Sequence, residues 1–220
     1  MTLFARLKAD AAPQWADYTC HDFVGQLASG SLPLESFRHY LVQDYLFLIQ
    51  FARAYALGVY KSQSVADMRQ SLEGVKAILD VELDLHLELC GTWGMDRSAI
   101  ETAPEDTPTM AYTRFVLDAG MAGDLLDLQA ALAPCVIGYA EIGARLAGEG
   151  KDDDSNPYQR WIREYAGEAY QGLAKDFIAW MDATADQVMT EQRYPRVLSL
   201  FEKACRLESD FWQMGLNAKS

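Results

Sequence analysis

The chain has 220 residues, half of them hydrophobic, with 11% aromatic and 23% charged, which excludes disorder, collagen-like repeats and low-complexity scaffolds. That is enough apolar material to bury one core without disulfides or structural metals. Nineteen basic residues against thirty-two acidic ones give a net charge of −13, which repels phosphate backbones and anionic lipid and excludes nucleic-acid binding as an expectation.

No stretch reads as a linker or as a fixed-period repeat, so one domain over residues 1–220 is expected. The start, Met1-Thr2-Leu3-Phe4-Ala5-Arg6, lacks a basic region followed by an apolar block, and no secretory leader is expected. Cys20, Cys90, Cys135 and Cys205 are widely spaced with no Cys-x-x-Cys pair, so neither a zinc knuckle nor a redox dithiol is written here. Reduced thiols and a soluble, cytoplasmic protein are the expectation.

In chain order, Leu34, Phe37, Leu41, Leu48, Phe51 and Tyr55 fall on the three-four spacing by which an amphipathic helix buries one face. Asp44 interrupts that stripe. Next, Val81-Glu82-Leu83-Asp84-Leu85-His86-Leu87-Glu88-Leu89 alternates apolar and polar, the period of a half-buried strand. It has no partner strand elsewhere and is rich in leucine and glutamate, so helix is the reading preferred. Thr107-Pro108 offers an N-cap followed by a first-turn proline, and Tyr112 lies one turn on.

Leu125, Leu128, Leu132, Tyr139, Ile142 and Leu146 form another stripe, with Pro134-Cys135 inside it. The charge-free run Leu128 to Ala140 is too short to span a bilayer. A proline there removes one amide donor and kinks the helix, often where a site needs the backbone displaced. Free cysteine is also among the most buried residue types, so inert core filling is the competing reading of Cys135 and the one kept for the other three cysteines. Residues 148–157, Gly-Glu-Gly-Lys-Asp-Asp-Asp-Ser-Asn-Pro, read as a solvated loop before a helix carrying Tyr158, Trp161 and Tyr165. The last stripe is Val197, Phe201, Ala204, Phe211 and Gly215, with Glu208 inside it. An all-α bundle follows.

Buried carboxylates cost several kcal/mol, on the order of a domain's whole stability margin, unless they are paired or hydrogen-bonded. Asp44 and Glu208 therefore either cap a loop or meet an arginine, or they line a shared polar pocket. Glu82/His86 and Glu35/His39 share helical faces at i, i+4, which raises a metal centre. The usual bundle signature is Glu-x-x-His at i, i+3, and with three histidines in all, His21 included, a hydrogen-bonded structural role is the reading preferred. Tyr40, Phe47, Tyr112, Tyr139 and Tyr165 either pack the core or form an aromatic box for a flat heterocycle.

The run Phe37-Arg38-His39-Tyr40-Leu41-Val42-Gln43-Asp44-Tyr45-Leu46-Phe47-Leu48, followed by Phe51-Ala52-Arg53-Ala54, closely resembles the signature helix of the TenA/thiaminase II family. Tyr112-Thr113, Pro134-Cys135 with Tyr139 and Ile142-Gly143, Asn156-Pro157-Tyr158 through Trp161-Ile162 to Tyr165, and Glu208 with Phe211-Trp212 resemble its later blocks, in order and over almost the whole chain. The resemblance implies a single-domain, haem-oxygenase-like helical fold, a homotetramer, and no metal or organic cofactor. It implies cleavage between the methylene carbon of 4-amino-5-hydroxymethyl-2-methylpyrimidine and a nitrogen leaving group, with the aminomethylpyrimidine or thiamin as small-molecule substrate. Cys135 places the sequence in the cysteine-containing subgroup.

On that resemblance Cys135 is the nucleophile, Glu208 the acid at a ring nitrogen and Asp44 the holder of the exocyclic amine. Tyr112 and Tyr165 are hydroxyl partners for the cysteine, the leaving group or the water, and Phe47 and Tyr139 line the ring pocket. Two departures bear on substrate choice: Phe47 stands where many relatives carry tyrosine, and Ile137 where an aromatic commonly follows the cysteine by two places. A haem-oxygenase-like oxidase, of the quinone-cofactor synthase or di-metal type, and a non-catalytic pyrimidine-binding regulator are the alternatives.

Overall fold

The computed structural model describes residues 1–218 and, within them, every side chain except that of Leu85. Each regular element among the described residues is a helix, as the leucine- and alanine-rich stripes predict. The chain opens with α1 (Leu3–Asp10), α2 (Ala12–Thr19) and α3 (Asp22–Ser29), then α4 (Leu34–Lys61), α5 (Val65–Ala77), α6 (Leu83–Thr92), α7 (Arg97–Glu101) and α8 (Thr107–Ala122). It closes with α9 (Leu125–Ala133), α10 (Tyr139–Gly148), α11 (Gln159–Ala166), α12 (Glu168–Val188) and α13 (Tyr194–Asn217). Two π-helical turns, Ile78–Glu82 and Pro134–Gly138, join α5 to α6 and α9 to α10. The segment 81–89 that alternates like a strand is thus the end of one π-turn and the start of α6.

The packing divides into two compact units. One comprises Met1–Leu32 with Gln129–Gln213, the other Pro33–Leu128 with the chain from Met214 on.

In the first unit, aromatic rings carry the core. Trp15 stacks on Phe201 with centroids 5.6 Å apart, and Phe23 on Trp212 at 4.9 Å, burial worth about 2–3 kcal/mol per large side chain. Trp15 Nε1 donates to Glu141 (3.0 Å), which also accepts from Lys8 Nζ (2.6 Å), tying α1 and α2 to α10. The 148–157 loop is solvated as its composition suggests, except at one residue. Asn156 is buried in it, donating to the Leu27, Ala28 and Lys151 carbonyls and accepting from the Tyr158 amide at 2.9 Å. The helix after the loop starts at Gln159, with Tyr158 at the N-cap position and Asn156 knitting its approach.

In the second unit α4 packs against α5, α6, α7 and α8. It buries far more than one stripe: Tyr40, Gln43, Asp44, Tyr45, Leu46 and Phe47 are all inside, whereas Leu34, at the first turn, is 37% exposed. A helix surrounded by neighbours loses the single polar face that a surface helix shows. Gln43 is satisfied there by the Pro104 carbonyl, the Asp106 amide and the Thr109 hydroxyl. The N-cap of α8 is Asp106, one residue before the expected Thr107, and its carboxylate turns to His39 Nε2 (2.8 Å) instead of the helix amides.

Leu125–Gly148 runs as continuous helix through the second π-turn, longer than the charge-free run 128–140 indicates. By length and composition it could cross a bilayer, but its most apolar window is 89% buried in protein, the character of a core helix.

Candidate active site

Cys135 owes its setting to its neighbour. Pro134 has no amide hydrogen to give to the preceding helical turn, and over Pro134–Gly138 the helix widens to π spacing. Pro134, Val136, Ile137 and Gly138 are buried, while Cys135 is only half-buried. The hydroxyl of Tyr18 donates to the Pro134 carbonyl at 3.3 Å. Just past the turn, the Tyr139 ring meets Tyr165 at 4.9 Å and Trp212 at 5.2 Å. Tyr165 can come so close because Gly143 has no side chain: a Cβ there would lie 2.5 Å from the Tyr165 backbone. Glu208 on α13 is 1% exposed, so a carboxyl group is buried at the stripe position the sequence marked. Burial and the charge of Glu208 push the Cys205 thiol far above its ordinary range.

In the other unit Asp44 is 8% exposed and accepts from the Tyr40 hydroxyl at 3.2 Å. Burial without a cation pushes its carboxyl up to about 7, against a smaller lowering by Tyr40. His86 stands behind it. Its Nε2 is 2.6 Å from the Leu41 carbonyl, which can only accept, so Nε2 carries the proton and Nδ1 faces Asp44 Oδ2 bare, at 3.6 Å. Burial lowers His86 to about 4, and the contact is therefore no ion pair near neutral pH. Cys90 is buried and pushed up to about 12, by burial first and then by the Asp44 charge. The Phe47 ring lies 5.0 Å from Tyr112 and 5.4 Å from Phe51.

The residues singled out from sequence thus fall into two sets: Asp44, Phe47 and Tyr112 in one unit, Cys135, Tyr139, Tyr165 and Glu208 in the other. Phe47 meets Tyr112, and Tyr139 meets Tyr165. The histidines have structural hydrogen bonds: His21 caps α3, His39 holds Asp106, and His86 holds the Leu41 carbonyl. Glu35 pairs with Arg38 rather than His39. Among the described residues no three His, Cys, Asp or Glu side chains gather to hold a metal. Sequence reasoning missed Tyr18 and the approach of His86 to Asp44. Tyr40, four residues before Asp44, was the one local signal of a carboxylate partner.

Compared with known proteins, residues 8–218 match the model of the TENA/THI-4/PQQC family. An uncharacterized protein of Haemophilus influenzae is 40% identical over 98% of this chain and 99% of its own length. The aminopyrimidine aminohydrolase of Halalkalibacterium halodurans is 34% identical over 100% of this chain and 97% of its own. Among solved structures, a protein described as a TenA family transcription regulator, from Silicibacter sp. TM1040, superposes with a TM-score of 0.93 at 43% identity, covering 97% of this chain and 96% of that one.

Proposed function

The chain belongs to the TENA/THI-4/PQQC family, and on that premise we propose that it is an aminopyrimidine aminohydrolase. Its substrates are 4-amino-5-aminomethyl-2-methylpyrimidine and thiamin, its product is the hydroxymethylpyrimidine, and Cys135 is its nucleophile. The observation that carries the reading is the π-helical turn Pro134–Gly138, which gives Cys135 a half-buried place in an otherwise buried turn. A nucleophile must be reached by substrate, and a core-filling cysteine need not be. The aminohydrolase of Halalkalibacterium halodurans, alignable over the whole chain, supports the reaction class.

In the proposed reaction the Cys135 thiolate adds to a carbon of the pyrimidine ring. The ring electrons move to a ring nitrogen that takes a proton from Glu208. Those electrons then expel the amine from the methylene carbon, with a proton delivered to the leaving nitrogen. Water adds to the exocyclic carbon so exposed and loses its proton, and the ring nitrogen returns its proton to Glu208 as the ring expels the thiolate and recovers aromaticity. The sum is one amine replaced by one hydroxyl at the cost of one water. Asp44 holds the exocyclic amine, Tyr112 and Tyr165 hold the leaving group or the water, and Phe47 and Tyr139 stack on the ring. Phe47 offers stacking without a hydroxyl, a difference that bears on leaving-group preference.

The enzyme works, in this reading, as a cytoplasmic homo-oligomer. The apolar face that α5 leaves to solvent supports the oligomer: Val65, Met68 and Leu72 are 63%, 40% and 42% exposed at three-four spacing.

The test is release of hydroxymethylpyrimidine, followed by chromatography without added metal, from the aminomethylpyrimidine and from thiamin in parallel. Wild type should release it and Cys135→Ala should not. The solved relative described as a regulator favours a second reading, a binder that does not turn over. Under it, Cys135→Ala would keep pyrimidine affinity and wild type would release nothing.

A further inference from the structure

Tyr18 lies fully buried on α2 and touches the cysteine-bearing π-turn at both ends. At the first residue its hydroxyl donates to the Pro134 carbonyl, 3.3 Å away. At the last, its ring fills the space a side chain would need: a Cβ on Gly138 would sit 2.2 Å from the ring edge and 2.7 Å from the hydroxyl oxygen. The Pro134 carbonyl and the Cys135 amide belong to one planar peptide unit, so a donor fixed on that oxygen fixes the plane from which Cys135 projects. A π-turn redirects helical hydrogen bonds, and a buried carbonyl beside one needs its acceptor capacity met from elsewhere.

The Tyr18 ring is itself held. Trp15 meets it edge-on at 5.9 Å, and Trp212 stacks on it at 6.3 Å with planes 17° apart. Trp212 lies four residues after Glu208 on α13, one helical turn along the same face. Tyr139, directly after the π-turn, also meets Trp212, at 5.2 Å. Tyr18 therefore stands between the turn that carries Cys135 and the helix that carries Glu208, in contact with both.

We infer that Tyr18 is a positioning residue for Cys135: its hydroxyl and ring set where the π-turn holds the cysteine relative to the Glu208 helix. The inference rests on the proposed role of Cys135 as nucleophile. A nucleophile and an acid serving one ring must be held to within about 0.5 Å, and a misplacement of about 1 Å costs on the order of a hundredfold.

Tyr18→Phe removes the hydroxyl and keeps the ring. It should lower kcat about tenfold or more while KM stays within about twofold, the pattern of a lost transition-state alignment rather than lost binding. Alkylation of Cys135 by iodoacetamide, followed residue by residue by mass spectrometry, should change rate by about threefold or more. Tyr158→Phe is the control, since it removes a buried hydroxyl bonded to the Leu32 carbonyl in the same unit. It should lower the melting temperature and leave kcat and Cys135 alkylation as in wild type. A Tyr18→Phe protein that behaves like Tyr158→Phe, less stable but unchanged in kcat and alkylation, overturns the inference. If Tyr18→Phe does not fold, Gly138→Ala, which displaces the ring from the other side, carries the same two outcomes. Alkylation needs no substrate, so a wild type that releases no pyrimidine defeats the proposed activity while the alkylation comparison still decides the role of Tyr18.

Discussion

Asp44 and His86 are ionisable groups buried side by side with one conventional hydrogen bond each, from Tyr40 and to Leu41. Burial favours the neutral form of both, so their contributions to stability run in opposite directions with pH. Asp44, raised in the folded state to about 7 from 3.8, adds stability that is full below pH 3.8 and lost as pH rises through about 7. His86, lowered to about 4 from 6.5, adds stability that is full above pH 6.5 and lost as pH falls through about 4. Asp44→Asn removes the first and leaves the second. Urea unfolding at pH 5 and pH 8 should show the variant gaining on wild type by about 2 kcal/mol as pH rises. Parallel profiles would mean that Asp44 stays ionised. The thiols separate by the same logic. Cys20 is exposed, whereas Cys90 and Cys205 are buried with raised thiol pKa values. Native alkylation should mark Cys20 and Cys135 and spare the other two, and a Cys20→Ser protein should keep its activity but lose it when Cys135 is alkylated. Persistent activity after full modification of Cys135 would remove it as nucleophile.

At the scale of elements, two close approaches shape the cysteine-bearing unit. Gly143 lets α10 meet the backbone at Tyr165, and a methyl group there would lie 2.7 Å from the Ala166 amide nitrogen. Backbone cannot swing aside as a side chain can. Gly143→Ala should therefore cost about 1–3 kcal/mol and displace Tyr165 from Tyr139; thermal unfolding measures the first and tyrosine fluorescence the second. Asn156 is the equivalent for the loop. It joins α3, the loop and the entry to α11 through four hydrogen bonds, so Asn156→Ala should cost about 3 kcal/mol or more by stranding buried carbonyls. Much of this level was legible in the chain: the stripes at 125–146 and 197–215 are buried as spaced, and Asp44 and Glu208 are buried carboxyl groups as their positions imply. The exposed Leu34 and the N-cap at Asp106 were not, because one depends on how many helices surround α4 and the other on His39 competing for a carboxylate.

For the whole molecule, a net charge of −13 opposes the approach of copies at neutral pH, so the proposed homo-oligomer would have to form through apolar contact. Val65, Met68 and Leu72 expose apolar side chains at three-four spacing on α5, and Leu79 in the π-turn that follows is 50% exposed. Met68→Glu combined with Leu72→Glu should lower the molar mass measured by light scattering without lowering helix content by circular dichroism. An unchanged mass would remove this face as the basis of the proposed oligomer. Helix content, buried stripe positions and the helical irregularity at Pro134 beside Cys135 are properties of near neighbours in sequence, and the chain by itself determined them through periodicity and the missing proline amide. The grip of Tyr18 on Pro134 joins residues 116 positions apart, and that of His86 on Leu41 joins residues 45 apart. Only the tertiary structure decided these, because no local period records which helix a side chain will meet, and it is those meetings that fix a proton on one nitrogen and hold a cysteine in place.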